Sequence, residues 1–329
     1  MMWRPGDTYG MRQHDCVTIE TAPWKHEGWV SAKDFFTIAK LAGCLMAALT
    51  PHRSWPGAAR AMARIHLVLR AKTARVLQRP ATLLERDALS LTRDALFADY
   101  LWNIHALREL MPAGWQDEPI LRGREVLDQA LERSRGAVLW CSPFVASDLA
   151  PKKALARAGY SLAQLSSPAH PFSPTRLGCL LLNPIRLRAI NQYLTRRVLV
   201  VYGSARPALD DLKRVLGANG VVLVTAIGAG TRSLTFPFMG GVLDLAVGAP
   251  VLAYESGAAL IPVNTLPDPE SGGYRVELGP DLTPQSSRPR YEALREMVVR
   301  YVQLLEPVVR ADPTQWEGWF HPGTWRPEP

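Results

Sequence analysis

Residues 138–149 read VLWCSPFVASDL. An apolar run ends at Cys141 and Ser142, Pro143 bends the chain, and Asp148 follows. A carboxylate just beyond the carboxyl end of a buried strand is well placed for chemistry in an α/β fold, although Ser147 or Asp148 can equally begin the next helix as its N-cap. Cys141 and Ser142 are nucleophile types. Each needs a neighbouring base or a depressed pKa to act, and a buried, inert cysteine is the commoner use of such a position. Residues 224–241, VTAIGAGTRSLTFPFMGG, carry Gly230, Thr231 and Arg232 in a glycine-bearing loop after another apolar run. Backbone amides beside an arginine suit a phosphate or a developing oxyanion; the plain alternative is a turn with a solvated arginine. Residues 166–176, SSPAHPFSPTR, put His170 and Arg176 on a loop, and loops near strand ends can fold over a site.

The elements that position these residues are legible in outline. Residues 54–131 are poor in glycine and rich in leucine and alanine, broken at Pro80, Pro112 and Pro119, and read as helices. The texture changes at Gly136. Residues 136–142, 194–203, 220–227 and 258–266 are short apolar runs suited to buried strands. Residues 274–280 alternate and read as an edge or half-exposed strand. Between the second and third runs, Leu209, Leu212 and Leu216 share one helical face, with Gly217 or Gly220 to close it. Strand, helix and strand in alternation predict an α/β fold with a largely parallel central sheet, flanking helices and a helical N-terminal third. Toward the end, Tyr291, Leu294, Met297, Val298, Tyr301, Leu304, Leu305 and Val308 step by three and four along an amphipathic helix.

Composition bounds the partners. The chain has 329 residues and a net charge of +8, and 47% of its residues are hydrophobic, enough for a sizeable core. The basic excess favours anionic partners such as a phospholipid surface, an acidic carrier protein or a phosphorylated substrate; a solvated basic surface is the alternative. No RRM, KH or zinc-finger pattern supports nucleic acid. Cys16, Cys44, Cys141 and Cys179 are widely spaced with no CxxC pair, so neither a metal site nor a disulfide framework is expected. The N-terminus lacks the apolar core of a secretory signal. The apolar stretch 35–49 contains Lys40 and is shorter than the ~20 residues of a bilayer span, but it suits a helix lying in the membrane interface. Residues 60–79 add basic positions at Arg60, Arg64, Arg70, Lys72, Arg75 and Arg79.

In order along the chain, REVLDQALERSRGAVLWCSPFVASDLA (124–150), GTRSLTFPFMGG (230–241), GAPVLAYESGAALIPVNTLPDPESGGYRVELGPDLTP (248–284) and DPTQWEGWFHP (312–322) resemble the blocks of the glycerolipid acyltransferase superfamily. The resemblance is greatest to the bacterial lipid A lauroyl/myristoyl acyltransferases and covers about residues 126–322. It implies an acyltransferase-like α/β domain over 54–322, preceded by an N-terminal segment, 1–53, with a membrane-interface helix, and followed by a tail, 323–329. It also implies acyl transfer from a thioester donor, acyl carrier protein or coenzyme A, to a hydroxyl or amine of a lipid or small molecule. No cofactor beyond that donor substrate is implied. The place of action would be the cytoplasmic face of the inner membrane, peripherally bound.

In that family a histidine five residues before an acid serves as general base, a role worth roughly 100- to 10,000-fold in rate. Asp148 matches the acid, but Pro143 occupies the histidine position. Gly230, Thr231 and Arg232 match the second block, with Ala229 where the glycerolipid branch carries a glutamate. Arg176 falls where the lipid A branch often has a functional arginine. Two expectations follow. Either the base is relocated, with His170 the candidate, or the chain is an inactive pseudoenzyme that binds lipid or acyl chains. Both require the strand ends near 142–148 and 228–232 to converge on a cleft that holds a fatty chain.

Overall fold

The computed structural model describes residues 28–69, 76–112, 114–115, 117–166, 172–200, 206–228, 232–284, 289–321 and 323–327. Helix α1 (Ala32–Ala48) starts at a reciprocal cap: the Ser31 amide donates to the Asp34 carboxylate at 2.7 Å, and the Asp34 amide donates to Ser31 Oγ. This satisfies donors that the first helical turn would otherwise leave open. Helices α2 (Trp55–Leu69), α3 (Gln78–Leu83) and α4 (Ala88–Arg108) follow. α4 is capped by Asp87, whose carboxylate accepts from the Ser90 amide at 2.6 Å. Leu41 and Cys44 of α1, Trp55 and Ala59 of α2, and Tyr100 and Ile104 of α4 share one buried cluster. The Lys40–Asp99 ion pair, 2.5 Å, ties α1 to α4, so residues 32–53 pack into the same helical layer as those that follow.

Strand β1 (Ile120–Arg122) and helix α5 (Arg124–Glu132) lead into β2 (Ala137–Cys141), α6 (Ala150–Arg157), β3 (Leu162–Ser166), α7 (Asn183–Asn191), β4 (Arg196–Leu199), α8 (Arg206–Gly217) and β5 (Val221–Thr225). A hairpin, β6 (Ser233–Phe238) and β7 (Gly241–Ala246), is followed by α9 (Gly248–Ser256), β8 (Ala259–Pro267), β9 (Tyr274–Leu278), α10 (Arg290–Ala311) and the short β10 (Trp325–Pro327). The seven-stranded sheet has the order β1-β9-β8-β2-β5-β3-β4. β8, β2, β5, β3 and β4 are parallel; β9 runs antiparallel to β8 and pairs in parallel with β1.

The mixed α/β architecture with a mostly parallel sheet agrees with the sequence pattern. Every residue of β2 is buried, because both faces are covered. Val138, Trp140, Val222 and Leu260 pack with α8, α9 and α10. Ala137, Leu139, Leu223 and Ile261 pack with α4, α5, α6 and α7. Continuous apolar runs are what a parallel sheet buried on both faces requires.

Three expectations change. Residues 274–278 alternate between buried and half-buried side chains, as the half-exposed reading has it, but they are not an edge: the strand is held between β8 and β1, because Ile120–Arg122 supplies an outer partner too short to read from the sequence. Within the segment read as a loop up to Gly241, Ser233–Phe238 is a strand that pairs with Gly241–Ala246 as an antiparallel hairpin, joined by β10 into a second sheet of order β10-β7-β6. Trp325–Pro327 is therefore a paired strand and not a loose tail. Among the described residues, no helix is long and apolar enough to cross a membrane.

Candidate functional site

The ends of β2 and β5 are neighbours. Cys141 pairs with Thr225, and the Ala226 amide donates to the Cys141 carbonyl at 2.8 Å. The expected cleft over these ends is occupied. After α10, residues 313–319 lie across the loop that follows β2: the Val145 amide donates to the Gln315 carbonyl, the Glu317 amide donates to the Pro143 carbonyl at 2.7 Å, and Phe144 bridges to Trp316. On the β5 side the Gly228 amide donates to Thr324 Oγ1 at 3.1 Å. A Cβ at Gly228 would stand 1.9 Å from the Gly323 carbonyl oxygen, so only glycine permits this approach. The segment after α10 thus covers both strand ends.

The two candidate nucleophiles are built into this packing. Ser142 is fully buried, its Oγ donating to Asn264 Oδ1 at 2.7 Å and bonded to the Tyr301 hydroxyl at 2.8 Å. Cys141 faces α6, and burial pushes its thiol up to about 11 despite the charge of Lys152. A thiol needs the opposite shift to attack a substrate at neutral pH, so neither residue is placed as a nucleophile. Native protein treated with iodoacetamide at pH 8 is expected to leave Cys44 and Cys141 unmodified, and both should label once the chain is unfolded in guanidinium. Peptide mapping checks this, and modification of native Cys141 at the rate of a free thiol would contradict its burial.

Asp148 turns toward the helical layer. Trp102 Nε1 of α4 donates to its Oδ1 at 3.0 Å, and Arg186 Nε of α7 lies 3.5 Å from its Oδ2. Arg186 is 5% exposed and donates from Nη2 to Asn103 Oδ1 at 2.6 Å. Asn103 in turn donates to the Asp99 side chain and carbonyl. The guanidinium lies against the rings of Trp102 and Phe172 at 5.6 and 5.5 Å. Its Nη1 is buried with no hydrogen-bond partner among the described residues. Such an orphan donor costs about 1–3 kcal/mol unless something occupies it. Beside it lies a narrow crevice walled by Leu41 of α1, Ala106, Leu107 and Leu110 of and beyond α4, Phe172, and Ile185.

Glu317 joins this group from the far end of the chain. Its half-buried side chain accepts no hydrogen bond among the described residues. Burial, reinforced by the negative charges of Asp148 and Asp99 and only partly offset by Lys40 and Arg186, pushes its carboxyl up to about 8. Desolvation and like charge act in the same direction on a carboxylic acid. The sequence pattern gave no sign of this, because the five groups come from five separate segments. Lys152 also lies close by, buried, with Nζ donating to the Asp148 carbonyl; burial lowers its pKa.

The other predicted site residues fall elsewhere or cannot be placed. Arg176, a candidate anion contact, is exposed and stacks on Trp29 at 4.2 Å, a surface contact; the arginine beside Asp148 is Arg186. Arg232 is exposed at the start of the hairpin. His170, Gly230 and Thr231 lie outside the described residues, as do Cys16, Arg70, Lys72 and Arg75. Among the described residues no group of His, Cys, Asp and Glu could hold a metal ion. In comparisons with known proteins, no family model matches the sequence and no curated protein matches it.

Proposed function

We propose that the chain is an acyltransferase-like protein of the membrane surface, moving a fatty acyl group from a thioester donor, acyl carrier protein or coenzyme A, to a hydroxyl or amine. Because the strand ends are covered, the reading rests on a different place from the one expected: the apolar crevice between α1, α4 and α7, walled in part by Arg186, whose buried Nη1 has no partner among the described residues and whose Nε lies 3.5 Å from the acid that follows β2. An apolar wall with one unsatisfied cationic donor suits a chain whose polar end is a carbonyl that becomes negative during reaction. The crevice is too narrow to hold a water, so an acyl chain enters only if its walls part.

The outer surfaces of α1 and α2 support a lipid-facing site. Phe35, Ile38, Leu45, Met46 and Leu49 of the first segment and Ile65, Val68 and Leu69 of the second are exposed. The exposed charges along residues 32–69 are Lys33, Arg53, Arg60 and Arg64, all basic. Apolar side chains interleaved with basic ones suit the interface of an anionic membrane, the cytoplasmic face of the inner membrane in this reading. Leu41, on the inner side of α1, lines the crevice, so one helix reaches both surfaces.

A second reading, a non-catalytic relative that only holds acyl chains, is favoured by Pro143 at the histidine position and by the covered strand ends. Purified protein incubated with acyl-CoA or acyl carrier protein thioesters and phosphatidylglycerol vesicles distinguishes the two. Acyl transfer predicts loss of thioester, reduced 100- to 1,000-fold by Arg186→Gln, the size expected for removing one donor to a developing oxyanion. Vesicle and acyl-chain binding without thioester loss establishes the second reading instead.

A further inference from the structure

We propose that Glu317 is the general base of this site, standing in for the histidine that Pro143 replaces. The inference rests on the acyl-transfer reading and assigns its proton-handling residue. The Glu317 backbone is fixed beside Pro143, since its amide donates to the Pro143 carbonyl at 2.7 Å. The flanking Trp316 is buried and bridged to Phe144, which holds the turn 317–319 in register with the loop after β2. The side chain is half-buried, carries no hydrogen bond among the described residues, and so is free to accept one from a substrate.

The groups whose charges act on it are Asp148 of the loop after β2, Asp99 of α4, Lys40 of α1 and Arg186 of α7. Of the two acids nearest the reaction, Asp148 is held by Trp102 and Arg186. Glu317 is left as the group able to exchange a proton. A carboxyl titrating near neutrality is matched to that task.

The step balances without any further reactant. The Glu317 carboxylate takes the proton of the acceptor O–H or N–H as the acceptor lone pair closes on the thioester carbonyl carbon. Negative charge on the carbonyl oxygen meets Arg186 Nη1. The carbonyl re-forms, the C–S bond breaks, and Glu317 returns the proton to the departing thiolate. One acyl–sulfur bond is exchanged for one acyl–oxygen or acyl–nitrogen bond.

The test uses the full chain, palmitoyl-CoA as donor, and lysophosphatidylglycerol in phosphatidylglycerol vesicles as acceptor, following thioester absorbance between pH 6 and 9. Wild-type kcat/KM is expected to rise about tenfold per pH unit below pH 8 and then level. Glu317→Gln is expected to lose 100- to 10,000-fold and to lose the pH dependence. Glu317→Asp, which keeps a carboxyl one methylene shorter, should recover part of the rate with a shifted profile. Thermal unfolding of each variant confirms that it is folded. Wild-type turnover with an unchanged rate and profile in Glu317→Gln overturns the assignment alone. Absence of wild-type turnover removes the acyl-transfer reading and the assignment together.

Discussion

Replacing Lys153 with methionine is expected to lower the free energy of unfolding by about 3–5 kcal/mol. Lys153 and Glu109 are both buried, and their charged atoms lie 2.9 Å apart between α6 and the end of α4. Lys153 Nζ also donates to the Trp115 carbonyl at 2.6 Å and sits 5.0 Å from the centre of the Trp115 ring. Glu109 accepts from the Trp115 amide at 2.9 Å and from the Tyr193 hydroxyl. The pair contributes little against a well-packed apolar alternative, because each ion was desolvated to reach its place. Removing one partner is different: it strands a carboxylate in a low-dielectric setting where it cannot remain charged without cost. Urea unfolding followed by far-UV circular dichroism measures the loss. The double variant Lys153→Met with Glu109→Gln should recover much of it, and a single-variant loss below about 1 kcal/mol would mean that water reaches this pair.

Glu317→Gln is expected to stabilise the protein at pH 8 and to leave it unchanged at pH 4. The folded carboxyl titrates at about 8, against an ordinary value of 4.5. Below pH 4.5 both folded and unfolded chains hold the proton, and nothing is lost. Between pH 4.5 and 8 the unfolded chain ionises while the folded one stays protonated. The folded state then binds more protons, and stability falls as pH rises. Each unit corresponds to about 1.4 kcal/mol, and the decline levels above pH 8. Glutamine has no proton to lose and escapes the decline, so its advantage at pH 8 is on the order of a few kcal/mol. Thermal midpoints of both proteins at pH 4, 6 and 8 give the result. A difference that does not grow with pH would mean that the carboxyl titrates normally. A difference that grows from pH 4 to pH 8 would show that the fold holds this carboxyl in a place that opposes its charge, at the expense of stability.

Much of the scaffold could be read from residue types, and the reasons for the exceptions are physical. Residues 137–141 and 221–225 are apolar almost throughout with no turn residue inside, and 259–263 is apolar around Pro262, so their strand character is visible locally. β3, Leu162–Ser166, carries Gln164 and Ser166 and is only five residues long, and its burial comes from the strands and helices around it. The β6–β7 hairpin is masked by Pro237, which suggests a loop. β6 lies at the edge of its sheet, where the missing amide of proline is tolerated.

The site divides in the same way. Asp148 was legible because an acid just after an apolar strand has a defined place in an α/β fold. Arg186 was not, since nothing in NPIRLRAIN separates it from the exposed Arg188 until α7 is packed against α4. Glu317 was read past altogether, because the residues of EGW say nothing about the four charges that assemble around the acid from distant helices and loops.

The segment that crosses the ends of β2 and β5 also sets an order of events. The parallel strands and their helices can pair as soon as β8 is made, while Glu317 and the contacts of Trp316 and Thr324 come only after α10. Joining residue 143 to residue 317 closes a very long loop, which favours its formation late in folding. A growing chain therefore has a finished framework before the ends of β2 and β5 are closed over, so that the last segment to be made is the one that seals them.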